Sequence, residues 1–88
     1  MARDEEYRCR VCGWKLAEPP WGPDGATPTY DYCPCCSVEF GYGDATPVGA
    51  RRHREQWLNR GAAWDEPSQR PDDWDLDAQL AKVPAAFR

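Results

Sequence analysis

The chain of 88 residues predicts a small metal-stapled α+β fold, in which two cysteine turns with short β-strands are followed by one or two helices. Three observations predict it. Four of the five cysteines form two C-x2-C pairs, a pattern that brings sulfurs together on one metal. Hydrophobic residues are only 41% and the mean hydropathy is -0.87, so an apolar core alone is thin for this size and a staple is expected. The 9 Pro and 7 Gly leave little room for long regular elements.

The first block, Tyr7 to about Tyr42, carries the cysteines. Cys9-Arg10-Val11-Cys12-Gly13 and Cys33-Pro34-Cys35-Cys36-Ser37 are separated, between Cys12 and Cys33, by 20 residues. Two residues between ligands let a tight turn aim both sulfurs at one ion, with backbone N–H groups stabilising the first thiolate. Cys9, Cys12, Cys33 and Cys36 are therefore the candidate metal ligands. Zinc is the preferred ion and iron the alternative, since thiolate tetrahedra accept either. Cys35 is left over, because only the 33/36 pair repeats the 9/12 spacing; it is a turn filler or a candidate reactive thiol. Gly13 suits the left-handed backbone expected after the second ligand. Ser37, at the equivalent place, would adopt it at a cost of roughly 1 kcal/mol. Short β-like pieces are expected around Tyr7-Arg8 and Thr29-Tyr30-Asp31-Tyr32. The Pro/Gly-rich loop from Glu18 to Pro28 is ordered only if its ends are anchored.

The second block is the best helix. Thr46 is its N-cap, Pro47 its first residue and Gly61 the stop past Arg60. Ala50, His53 and Trp57 fall at helical spacing, with Leu58 widening the stripe that packs on the cysteine block. His53 is expected to stack on Trp57. The third block, Trp64 to Arg88, begins with a loop broken by Pro67 and Pro71. A final helix follows, capped by Asp75, running to Val83 and stopping before Pro84. Residues 1–45 are thus a four-cysteine block and residues 46–88 a helical, Trp/Pro-rich extension packed on it, within one domain.

Charge narrows the partner classes. Residues 1–45 hold 4 basic and 8 acidic groups, residues 46–64 hold 4 and 1, and residues 65–88 hold 3 and 6, for a net charge of -4. Four thiolates on a divalent ion add a further net charge of about -2. A general nucleic-acid binder is normally basic. Arg51, Arg52, Arg54 and Arg60 form the basic cluster, but at about 100° per residue they do not line one stripe, so a solvated helix face is expected. No apolar run approaches the roughly 20 residues of a membrane helix, and the start Met1 to Glu6 has no apolar leader. A cytoplasmic location follows as an expectation, and in a reducing compartment thiolate–metal bonding is favoured over disulfides.

Tyr7, Cys9, Cys12-Gly13-Trp14, Pro19-Pro20, Tyr30, Cys33-Pro34-Cys35-Cys36, Phe40-Gly41-Tyr42, Trp57, Gly61, Trp64 and Trp74 together resemble the small bacterial cysteine-rich CPCC proteins. Arg10 and Ser37 stand where that family tends to have proline and glycine. The resemblance implies a zinc-ribbon-like fold and the ligands named above, and implies no reaction. The two cysteine turns alone are also similar to the knuckles of rubredoxins, which implies iron and electron transfer.

Five tryptophans serve as core material in a chain with few Leu and Ile. Trp14 and Trp57 are read as core, and Trp21, Trp64 and Trp74 as candidates for a partner surface. No nucleophile elbow, phosphate loop or metal-hydrolase motif is present. The expected function is a non-enzymatic zinc-ribbon module that binds another protein, one version being an inhibitor or immunity-type protein that covers a basic partner. A rubredoxin-like electron carrier is the alternative and a nucleic-acid-binding ribbon the third reading.

Overall fold

A computed structural model describes residues 3–88. Met1 and Ala2, part of the start read above for an apolar leader, lie outside the described residues. The element order is a 3-10 turn at Asp4–Tyr7, helix α1 at Pro47–Asn59, a 3-10 turn at Pro67–Gln69, helix α2 at Leu76–Leu80 and a 3-10 turn at Ala85–Phe87. The radius of gyration is 11.8 Å. No helix of the described residues is long and apolar enough to cross a membrane.

The expected β-strands shrink to two isolated antiparallel bridges, Arg8 with Lys15 and Tyr32 with Glu39. Each bridge closes one cysteine turn. Cys9 N–H donates to Trp14 O (2.9 Å) and Leu16 N–H to Tyr7 O (2.8 Å), while Cys33 N–H donates to Val38 O and Phe40 N–H to Asp31 O (both 2.9 Å). Neither ladder extends further, for local reasons. Residues Asp4–Tyr7 are wound into the 3-10 turn, and Tyr30 has a left-handed backbone (φ 62) that breaks the extended run before Asp31. Gly41 makes room for that conformation: a side chain there would collide with the Tyr30 ring and Pro28.

The loop from Glu18 to Pro28 is anchored as its order requires. Its stem closes through Thr27 N–H to Trp21 O and Thr29 N–H to Pro20 O (both 2.9 Å). Asp24 accepts from Ala26 N–H and Thr27 Oγ1 inside the loop. The Trp21 indole Nε1 donates to Asp44 (2.9 Å), whose other oxygen accepts from Gly41 N–H (2.8 Å). Asp44 is fully buried, and that burial pushes its carboxyl above the usual range while the two donors pull it back. Arg10, in the first cysteine turn, lies over Trp21 (4.1 Å) and over Phe87 (4.4 Å) and donates to Gly25 O (3.4 Å). One guanidinium thereby ties the turn, the loop and the C-terminal segment together.

Helix α1 starts as expected, with Thr46 Oγ1 accepting from Gly49 N–H (3.0 Å) and Pro47 in the first turn. Ala50 and Trp57 are buried, and the Trp57 indole donates to Ala63 O (2.8 Å). Two expectations fail. Leu58 is 38% exposed, so the buried stripe is narrower than its sequence suggests. The arginines are not a uniformly solvated face: Arg54 turns inward and donates to the carbonyls of Val11 (2.6 Å), Arg10 (3.1 Å) and Phe87. The planar fork of Arg54 satisfies three backbone acceptors that no single apolar residue could.

Helix α2 is capped by Asp75, which accepts from Ala78 N–H (3.2 Å). It ends at Leu80 instead of Val83. Around it the indoles stack edge to face, Trp14 with Trp64 at 4.8 Å and Trp64 with Trp74 at 5.5 Å. Trp64 is buried (8% exposed), so this member of the candidate partner surface is interior, while Trp21 and Trp74 remain half-buried.

The Asp44 anchor generates the first prediction. Asp44→Ala leaves Trp21 Nε1–H and Gly41 N–H without their acceptor and is expected to cost about 2–3 kcal/mol, against about 1 kcal/mol for Trp21→Phe. Urea denaturation of the two single variants and the double variant checks it: the losses should be clearly less than additive, because both remove the same bond.

Candidate metal centre

The sulfurs of Cys9, Cys12, Cys33 and Cys36 all lie within 4.8 Å of one another, and all four residues are buried. Cys9 to Cys36 is 3.6 Å and Cys12 to Cys33 is 3.7 Å. A tetrahedral ion with metal–sulfur bonds of about 2.3 Å sets its ligands about 3.8 Å apart. The four sulfurs therefore fit one tetrahedral metal ion. No disulfide links any of the five cysteines.

The two halves of the site are built alike. The turns close through Gly13 N–H to Cys9 O (2.9 Å) and Ser37 N–H to Cys33 O (3.0 Å), and both following residues are left-handed, Gly13 at φ 85 and Ser37 at φ 70. Ser37 does adopt the conformation expected of it, and its hydroxyl donates to Asp65 (3.0 Å). In the first turn Val11 N–H points at the Cys9 sulfur (3.4 Å), a contact that favours thiolate. Burial pushes the Cys12 and Cys36 thiols up, while the hydrogen bond with Cys12 holds Cys33 down. A cation is the group that neutralises four such sulfurs together.

Cys35 has no exposed surface and stands outside the four-sulfur set. Its sulfur accepts from Gln79 Nε2 (3.4 Å), which also donates to Cys12 O (3.2 Å). Gln79 Oε1 accepts from Trp74 Nε1 (2.6 Å). Helix α2 is thus fastened to both cysteine turns by a single buried amide. Sequence reasoning passed over Gln79, although a signal was there: Leu76, Gln79, Leu80 and Val83 share one helical face, and a polar residue on an otherwise apolar face needs a buried partner.

His53, expected to pair with Trp57, has a polar partner in the second cysteine turn. Its Nε2 lies 2.9 Å from Cys36 O, so it braces the second turn from helix α1. With Arg54 on Val11 O and Arg10 O, one face of α1 thus reaches both cysteine turns.

Gly13 carries the closest approach. A Cβ there would collide with the backbone carbonyl of Gln79 and lie 3.1 Å from Val83 N. Gly13→Ala therefore combines left-handed strain with a backbone clash and is expected to cost more than about 2 kcal/mol. Gly61 is also left-handed, at φ 83, but a Cβ there meets open space, so Gly61→Ala is expected to cost only about 1 kcal/mol. Thermal denaturation of the two variants side by side separates the clash from the strain; equal losses would show that α2 does not press on the turn.

No protein-family model matches the chain, and no solved structure matches it. Two proteins of Bacillus subtilis (strain 168) are similar to it. The uncharacterized protein YozI is 31% identical over 76% of this chain and 69% of its own length. The uncharacterized protein YoaQ is 32% identical over 76% of this chain and 70% of its own length. At that identity and coverage, the chain belongs to the family of YozI and YoaQ.

Proposed function

We propose that this protein is a non-enzymatic zinc module, of the zinc-ribbon-like CPCC type, whose task is to bind another protein. The observation that carries the reading is the closure of the metal centre. All four sulfurs are wholly buried within the main core cluster. A four-sulfur site closed in this way is structural, whereas a catalytic zinc keeps a position open for water or substrate. The chemistry of the site is therefore spent on folding, and function falls to the surface. Tyr30, Tyr32 and Tyr42 are 61%, 62% and 82% exposed, and exposed aromatic side chains are common anchors at protein interfaces. A cytoplasmic location accords with five reduced cysteines.

A rubredoxin-like iron carrier is the second reading, favoured by the matched pair of turns with left-handed residues after each second cysteine. Nucleic-acid binding by the arginine helix is supported less. Arg54 is committed to three carbonyls and Arg51 donates to Arg88 O (3.2 Å), leaving Arg52 and Arg60 to oppose a net acidic surface.

Metal analysis of protein produced with both zinc and iron in the medium is expected to give one zinc per chain. Cys12→Ser and Cys36→Ser should lose the metal and unfold, whereas Cys35→Ser should keep it, with a modest loss of stability from the weaker contact with Gln79. A red, reversibly reducible sample would promote the electron carrier. A metal-free folded protein, or loss of metal in Cys35→Ser, would overturn the ligand set.

A further inference from the structure

A groove of about 720 Å³ runs beside both cysteine turns. Its floor is apolar and aromatic, formed by Trp14, Leu16, Pro20, Tyr32, Pro34 and Phe40. Glu18, Asp31 and Glu66 also line it. Among the described residues no ion pair forms on any of these three carboxylates, and the cation in the groove, Lys15, is paired with Asp4 at 3.1 Å. The smaller cleft, of about 400 Å³, differs in kind. There the guanidinium of Arg10 is already enclosed by Trp21 and Phe87, and Arg8 is paired with Asp4.

We propose that the larger groove is a docking site for a basic segment of a partner protein: an aromatic or aliphatic residue seated on the Tyr32–Phe40 floor, with flanking Arg or Lys side chains met by Glu18, Asp31 and Glu66. The inference rests on the protein-binding reading above and adds the surface and the chemistry of the occupant. Charge complementarity selects this occupant. Three carboxylates without a cationic partner, of which Glu66 also accepts from Gln69 Nε2 (3.1 Å), repel nucleic acid and acidic peptides, while an apolar floor gives a purely cationic ligand little to bury. The volume suits a few side chains of an extended segment.

The groove is also held in shape before any partner arrives. Pro34, in the second cysteine turn, and Phe40, just after it, are buried, and Trp14 and Leu16 follow the first turn. The left-handed Tyr30 directs the chain into Asp31 and Tyr32, with Gly41 seating its ring. A surface fixed by the metal centre loses little conformational entropy on binding.

The test pans short random peptides, displayed on phage, against the immobilised full-length zinc-loaded protein. Enriched peptides should carry two or more Arg or Lys around an apolar or aromatic residue. Their affinity should fall at least about tenfold with Glu18→Lys plus Asp31→Lys, and also with Tyr32→Ala, but stay unchanged with Arg52→Glu plus Arg60→Glu. Circular dichroism and metal content confirm that each variant is folded. Failure to enrich any peptide, enrichment of neutral or acidic peptides, or indifference to charge reversal in the groove would overturn the proposal. So would concentration-dependent dimerisation that buries the groove, since the occupant would then be a second copy. Capture of a host protein by wild type and the charge-reversed variant equally would sink the groove and leave the protein-binding reading standing. A metal-loaded protein that captures no host protein but still selects basic peptides through Glu18 and Asp31 would do the reverse.

Discussion

Four sulfurs meeting at one point are the constraint on which the rest of this structure depends. The buried core holds all five cysteines, with Val11, Val38, Phe40, Ala50, Trp57, Ala62 and Trp64 around them. Such a core is small. A metal ion held by four such cysteines would contribute on the order of 10 kcal/mol or more to folding, comparable to the whole net stability of an ordinary domain, roughly 5–15 kcal/mol. The cysteine turns are held by these sulfurs, and the loop from Glu18 to Pro28 is tied to the first turn through Arg10. Strands are consequently dispensable: one bridge behind each turn suffices where a ladder would be needed in a metal-free sheet.

The C-terminal half attaches to this centre through backbone carbonyls of the cysteine turns. Tight turns leave such carbonyls without partners, and three side chains supply donors: Arg54 to Val11 and Arg10, His53 at Cys36 and Gln79 to Cys12. Buried carbonyls left without donors would cost about 1–3 kcal/mol each. These bonds therefore specify where α1 and α2 sit, while Trp57 and the stacked indoles supply the apolar burial. Gly13 lets α2 approach closely enough for Gln79 to reach both Cys12 and Cys35.

The residues that border the buried four-cysteine cluster also form the floor of a groove lined by Glu18, Asp31 and Glu66. The basic side chains follow the opposite logic. Arg10, Arg51 and Arg54 are each engaged with aromatic rings or backbone carbonyls of this chain, so much of the positive charge counted in the sequence is structural. The groove carboxylates are not engaged in that way.

The clustering of Cys9, Cys12, Cys33 and Cys36 where they could hold one metal ion, the cap of α1, the cap of α2 and the left-handed Ser37 were legible in the sequence, because each follows from chemistry within a few neighbouring residues. Cysteine spacing determines which sulfurs one turn can aim together, Thr46-Pro47 starts a helix wherever it occurs, and the equivalence of positions 13 and 37 transfers a backbone requirement from glycine to serine. Tertiary structure alone decided the partners of Gln79, His53, Arg54 and Asp44, the burial of Trp64 and the reduction of the strands to bridges. Those outcomes depend on which carbonyls the metal-centred turns leave open and on which segment lies opposite them. Such pairings join residues up to 67 positions apart, as in Gln79 to Cys12, and no local pattern of polarity or spacing encodes a partner at that distance.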